Sequence, residues 1–177
     1  MIETPNLLLI PCELSHFEAI LTDHAELASL LGVSLADEWL GFPAAQEAMR
    51  PCYEYLKANP SVLGWWTYLF IHGADHRLIG VGGFKGRPNA EGVVEIGYAL
   101  APVYRGRGLA TEAARGMMKY AFSHREVSRV EAHTLAEKNA SVRVLEKLGM
   151  KYVGAVSDPK DGEVWHWRVK REEYRSS

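Results

Sequence analysis

Cysteine is scarce in this chain of 177 residues: only Cys12 and Cys52 occur, with no C-x-x-C spacing. A disulfide framework and a thiolate zinc site are therefore not expected, and both cysteines read as ordinary small side chains. Long apolar runs are also missing, so no segment reaches the length that spans a bilayer. Met1 to Pro11 carries Glu3 and Pro5 and lacks a basic region followed by an apolar core, so no export signal is read and a cytoplasmic protein is expected. Basic charge is neither abundant nor clustered: the formal net charge is -2 and the pI about 6.4. Nucleic acid is accordingly not an expected partner, nor is a membrane surface. Repeats, low-complexity tracts and linkers are lacking, and the length suits one core, so residues 1–177 are read as a single domain. The 47% hydrophobic and 24% charged composition fits a folded, water-soluble chain.

Periodicity supplies the elements. Leu7 to Ile10 reads as a strand, and Ser15-His16-Phe17-Glu18 has capping-box spacing for a helix that continues to about Leu31. A second helix fits Ala44 to Ala58, ended by Asn59-Pro60 because the residue before proline is pushed out of helical geometry. Trp65–His72 and Arg77–Phe84 flank the turn residues Gly73-Ala74-Asp75 as a hairpin. Val93 to Leu100 is a largely apolar strand, expected to be covered on both faces. A helix follows from about Gly108 to Ser123, with Ala113, Ala114, Met117 and Ala121 on one side and Glu112, Arg115 and Lys119 on the other. Arg129–Leu135 is a strand, Ala140–Leu148 a short helix, and Lys151–Val156 with Val164–Lys170 a closing hairpin. The order implies an α+β (mixed α/β) domain: a mostly antiparallel mixed sheet flanked by helices, with one locally parallel pair at the central strand–helix–strand crossover.

The chemistry concentrates between Tyr98 and Ala110. There a strand end passes through Arg105-Gly106-Arg107-Gly108 into a helix whose first N–H groups are unpaired and carry partial positive charge. Such a turn can cradle an anion: Gly106 and Gly108 admit close backbone approach, and Arg105 and Arg107 supply charge-assisted donors. The plainer alternative is a strand-to-helix turn with two solvated arginines. The segment lacks both the G-x-x-x-x-G-K-[ST] loop and the G-x-G-x-x-G fingerprint, so a nucleotide triphosphate or dinucleotide has no support.

Arg105-Gly106-Arg107-Gly108-Leu109-Ala110 resembles the Arg/Gln-x-x-Gly-x-Gly/Ala signature of the GNAT superfamily of acyl-coenzyme A-dependent N-acyltransferases. Val94-Glu95-Ile96-Gly97-Tyr98, Ala110-Thr111-Glu112-Ala113 and Val144-Leu145-Glu146-Lys147-Leu148-Gly149-Met150 are similar to its Rim-type ribosomal-protein N-acetyltransferase branch. The resemblance runs from about Trp65 to Val169. It implies acetyl-CoA as cosubstrate, no metal, and direct attack of an amine, either a peptide N-terminus or a small molecule, in a ternary complex. By the same resemblance the backbone of Tyr98 and Leu100 contacts the pantetheine arm and thioester, where their strand splays from Arg129–Leu135. Arg105 through Ala110, with Asn139, complete the coenzyme-binding set. Asn139 sits one position beyond the commonest pattern, where Lys138 stands. A homodimer is compatible with the family.

Acyl transfer to an ammonium needs a base, and the departing thiolate is helped by an acid. Glu95, alone as a carboxylate in its apolar strand, is the candidate base; a structural carboxylate is the competing reading, and alternation turns its side chain away from those of Tyr98 and Leu100. Leu145 occupies the position where many superfamily members carry a tyrosine acid. Ser141, one turn earlier, matches a serine of the Rim-like branch suited to the coenzyme sulfur, with helix capping as its other reading. The missing tyrosine leaves a second function open, a coenzyme A-binding module without transferase activity. His72 and His76 lack a third metal ligand, and Trp39, Trp65 and Trp66 are either core residues or the lining of an acceptor pocket.

Overall fold

In the computed structural model, which describes residues 1–174, the chain runs β1 (Ile2–Glu3), β2 (Leu7–Pro11), α1 (Leu14–Thr22), α2 (His24–Leu31), β3 (Ser34–Leu35), α3 (Pro43–Ala58), β4 (Thr67–His72), β5 (Arg77–Phe84), β6 (Val93–Leu100), α4 (Leu109–Ser123), β7 (Arg129–Leu135), α5 (Ala140–Lys147), β8 (Lys151–Asp158) and β9 (Gly162–Lys170). The strands form one mixed sheet in the order β1-β2-β4-β5-β6-β7-β9-β8, with β3 alongside β5. The crossover through α4 makes β6 and β7 parallel, as their connection requires, and the short β3 is also parallel to β5. All other neighbours along the main path are antiparallel.

The alternation of the strand residues sets the core. Leu69, Phe70, Leu78, Ile79, Val94, Ile96 and Val130 are all buried. Against the face that carries Phe70, Val94, Ile96 and Val130, α4 lays Leu109, Met117, Met118 and Phe122, while Leu69 and Ile79 are buried on the opposite face; each such side chain removed from water contributes about 1.5–3 kcal/mol. Helix α4 touches β6, β7 and α5 on one flank and β1 and β2 on the other, whereas α1 packs against α2 and α3. Glu112 fastens the start of α4 to the first hairpin: its carboxylate accepts from Thr4 Oγ1 at 2.6 Å, the Asn6 N–H at 2.7 Å and Asn6 Nδ2 at 2.9 Å.

The structure corrects three local expectations. The first helix is capped by Glu13, whose N–H donates to His16 Nδ1 at 3.1 Å, rather than by the Ser15/Glu18 pair. It stops at Thr22, because Asp23 takes an extended conformation and accepts the Ala25 N–H at 2.8 Å, starting a new helix. Strand β6 is covered on its second face only at its end: Val94 and Ile96 are buried on one face and Ala99 on the other, while Glu95 and Gly97 remain half-exposed. The reason is a polar cluster on that second face.

Candidate active site

The turn entering α4 owes its shape to its glycines. Gly106 and Gly108 hold φ of 72° and 79°, and a Cβ added at either would meet nothing within 4 Å, so the space above the turn is open. Only glycine takes that backbone geometry without strain. The first helical bond runs from the Glu112 N–H to the Gly108 carbonyl at 3.0 Å, so the N–H groups from Gly108 to Thr111 precede any helical acceptor. The Leu109 side chain is buried and that of Ala110 half-buried. What these residues offer an anion is backbone and helix charge.

The two arginines differ in what they do. Arg105 Nε donates to the Leu100 carbonyl at 3.0 Å and its Nη2 to the Gly41 carbonyl at 2.5 Å. Its guanidinium is committed to holding the loop, so its contribution to an anion is position and charge. At Gly41, φ is 83° and a Cβ would lie 2.8 Å from the Leu100 carbonyl oxygen, so the loop before α3 is seated on the end of β6. Arg107 lies over the Tyr104 ring with its Cζ 5.0 Å from the centroid, and the Tyr104 hydroxyl is fixed by Asp75 Oδ2 at 2.7 Å.

Beside the turn opens a cavity of about 390 Å³ lined by Phe42, Tyr98, Leu100, Arg105, Gly106, Gly108, Leu109, Ala110, Asn139 and Ser141, among others. Of the sequence-derived positions, Glu95 and Arg107 do not line it. The β6–β7 ladder ends at the Glu95/Glu131 pair, beyond which the strands part. The Ala101 N–H donates to Ile79 at 2.8 Å and the Lys85 N–H to the Glu95 carbonyl at 2.9 Å, so odd-numbered residues of β6 bond to β5. By strand alternation the backbone groups of Tyr98 and Leu100 point into the gap toward β7. Asn139 caps α5, its Oδ1 accepting the Val142 N–H at 3.1 Å, which leaves Ser141 free of capping. The Tyr98 hydroxyl is enclosed beside Ser141 without a hydrogen-bond partner of ordinary geometry. Burial pushes its phenol well up, and the serine acts weakly in the other sense. Leu145 is buried at 1% exposure and brings no polar group.

Glu95 lies on the other face of the sheet, since Tyr98 reaches the α5 side and the register with β5 is regular from Ile96 to Leu100. Its Oε1 is shared by Lys85 Nζ and by His133 Nδ1, the latter at 2.9 Å. The His133 ring stacks on His166, with centroids 4.8 Å apart and planes 11° from parallel. His166 Nε2 lies 3.0 Å from Glu131 Oε2, and Arg129 Nε is 2.8 Å from Glu131 Oε1. Burial works against the charge on Glu131, but Arg129 and His166 outweigh it and hold the carboxyl below its usual range. His133, His166, Lys85 and Glu131 were not among the sequence candidates. Their signal was the shared face of residues two apart on a strand, but the pairing across distant strands is set only by the fold.

Other candidates resolve locally. Trp65 is buried against Phe84, Tyr120 and His124, and Trp66 stacks on Tyr55. Trp39 lines a second cavity of about 660 Å³ between α2, β3 and the start of α3. His72 Nδ1 is 3.1 Å from Asp75, and among the described residues no group of three or more His, Cys, Asp or Glu could hold a metal ion. Nor, among them, is any helix long and apolar enough to cross a membrane.

Comparison with known proteins gives this geometry its family. The chain is 28% identical over 169 residues to the "Uncharacterized N-acetyltransferase YjdG" of Bacillus subtilis, covering 94% of this chain and 96% of that one. It is 38% identical over 94 residues to the "Probable N-acetyltransferase YjcK" of the same organism, covering 52% of each. Among solved structures, the ribosomal L7/L12 alpha-N-protein acetyltransferase RimL in complex with coenzyme A superposes with a TM-score of 0.68 at 16% identity, covering 94% of this chain and 95% of that one. A chimera of the spermidine N-acetyltransferase SpeG from Vibrio cholerae and hSSAT gives 0.69 at 14% identity, over 96% and 98%. Residues 6–151 match the acetyltransferase (GNAT) domain, and the chain belongs to that family.

Proposed function

We propose that this protein transfers the acetyl group of acetyl-CoA to a primary amine by direct attack in a ternary complex, as a cytoplasmic enzyme. The observation that carries the reading is the open turn at Gly106 and Gly108, set at the start of α4 and beside the gap between β6 and β7. The turn suits a pyrophosphate, and the N–H groups of Tyr98 and Leu100 in the gap suit a thioester carbonyl whose oxygen becomes negative during transfer. Arg107 contributes a cation at the rim, and Arg105 and Asn139 hold the two loops that frame the cavity. Ser141 faces the cavity where a sulfur would leave, with the Tyr98 hydroxyl behind it as a second protonated group. These hydroxyls stand in for the acid that Leu145 lacks, which favours a transferase over a module that only binds the coenzyme.

The acceptor is an amine, either a protein N-terminus or a small molecule; relatives in fold are named for each. Thiol release from acetyl-CoA, followed across N-terminal peptides, polyamines and other amines, tests the reading. Turnover with an amine and recovery of the acetylated product support it. Tight coenzyme binding with no product across the whole panel would favour the binding module instead.

A further inference from the structure

We infer that the proton of the acceptor amine is taken by His133, with Glu95 as the residue that positions it. The inference rests on the acetyl-transfer reading and names its base. Glu95 and Glu131 form the last pair before β6 and β7 separate, so His133, two residues further along β7, stands on the flank of the gap. It does so on the face opposite α5, so an amine meeting the thioester from that side passes it. Glu95 Oε1 is already occupied by Lys85 Nζ and His133 Nδ1. A carboxylate facing Nδ1 can only accept, which puts the ring proton on Nδ1 and the lone pair on Nε2. Among the described residues Nε2 has no hydrogen-bond partner. Carboxylate, oriented imidazole and free distal nitrogen together are the arrangement of an activated general base.

Charged groups from several elements surround that nitrogen. The β8–β9 turn folds toward α3, where Lys160 Nζ lies 3.5 Å from Glu47 Oε2. Asp158, at the same turn, is held below the usual carboxylate range chiefly by the N–H groups of Asp161 and Lys160, with Lys85 and His133 adding a smaller part. The groups on the side of His133 are thus Lys85 just after β5, Glu95 from β6, Glu131 and Arg129 from β7, His166 and Arg168 from β9 and Asp158 from β8. In the reaction one ammonium proton passes to Nε2 and on to solvent. The amine nitrogen then bonds the carbonyl carbon as the C–S bond breaks, and a second N–H proton balances the thiolate. The products are an amide, a thiol and one proton.

Steady-state kinetics of His133→Asn and Glu95→Gln, over a pH series and with the best acceptor from the amine panel, test the assignment. Asparagine keeps an N–H for Glu95 but has no distal nitrogen, so it removes the base while leaving the packing close to intact; thermal melting checks the fold. A fall in kcat of about 10²-fold with KM for acetyl-CoA unchanged, and loss of the acidic limb of the profile, is expected for His133→Asn. Glu95→Gln still accepts from Nδ1 and loses less, about tenfold. Near-wild-type turnover in a folded His133→Asn, or a larger loss in Glu95→Gln, overturns the assignment. Nitrogen-15 NMR of the wild-type imidazoles gives a readout independent of turnover: the Nδ1–H form at His133 supports the pair, and the Nε2–H form overturns it. If no amine is acetylated by the wild type, it is the transfer reading that fails, whichever tautomer is found.

Discussion

Gly106 and Gly108 are the residues on which the proposed coenzyme site turns, because their backbone is one that side-chain-bearing residues avoid. Gly108→Val forces a branched side chain into φ 79°, at a cost of about 1–2 kcal/mol, and fills the open space an anion needs. Acetyl-CoA affinity should fall by at least about tenfold in calorimetry, whereas Gly32→Ala, at a comparable φ of 66° outside the cavity, should cost stability and leave affinity unchanged. Equal affinity in wild type and a folded Gly108→Val would remove the cradle. Ser141→Ala should reduce kcat about tenfold with coenzyme affinity nearly constant, since the hydroxyl is proposed to act on the departing sulfur. Tyr98→Phe should lower kcat as well, yet not lower the melting temperature, because the hydroxyl it deletes lacks a good partner. A Tyr98→Phe protein with full activity would confine that residue to packing. Of these positions, the glycines stand out in the sequence because a turn with positive φ demands them, whereas Ser141 was reached only through the resemblance to the Rim-type branch. The Tyr98 hydroxyl was not, since only the packing of α5 against the gap sets a serine beside it. Arg105 was legible as a charge but not as a clamp, its partner Gly41 lying 64 residues away.

At the scale of elements, the cradle depends on where α4 begins, and Glu112 ties that end to Thr4 and Asn6. Burial works against the charge of Glu112, but the bonds from Asn6 and Thr4 outweigh it and bring its carboxyl below the ordinary value near 4.5. The folded form therefore binds the proton less readily than the unfolded chain. Its contribution is fully present above about 4.5 and disappears as pH falls through the lower, folded value. Glu112→Gln keeps one acceptor oxygen and turns an amide N–H toward donors, so it should destabilise by about 1–2 kcal/mol at pH 7, less whatever solvent screens. Thermal melts of both proteins should converge as pH falls through the lowered, folded-state value of Glu112; a gap that stays constant with pH would show that the carboxylate's charge plays no part. The helix and strand positions of α3, α4, β5, β6 and β7 follow from periodicity and from Asn59-Pro60. The break at Asp23 did not, because a side chain that caps a new helix looks, in sequence, like one exposed polar position in a continuing helix. The short β1 and β3 exist only as partners of β2 and β5, and strands so short have no period to read.

For the molecule as a whole, the sheet order brings together what the chain keeps apart: a cradle at α4, hydroxyls at α5 and β6, and a Glu–His cluster drawn from β6, β7 and β9. The parallel β6–β7 pair was readable from the crossover. The cluster on the opposite face was not, since the His133/His166 pairing spans 33 residues of chain and needs the β7–β9 register. A ligand that bridges α4, α5 and the gap should couple these parts to global stability. At a concentration of 100 Kd, a ligand binding only the folded state adds about 2.7 kcal/mol. For a chain of this length each kcal/mol shifts the melting temperature by roughly 2–4 °C, so acetyl-CoA should raise it by about 5–10 °C. At the same ligand concentration Gly108→Val should cut that shift by about half or more, and His133→Asn, which lies outside the proposed coenzyme cavity, should preserve it. Adenosine alone, lacking the pyrophosphate, should give little shift at the same concentration. A full shift with adenosine, or one retained by Gly108→Val, would mean that binding energy comes from elsewhere than the turn at the head of α4.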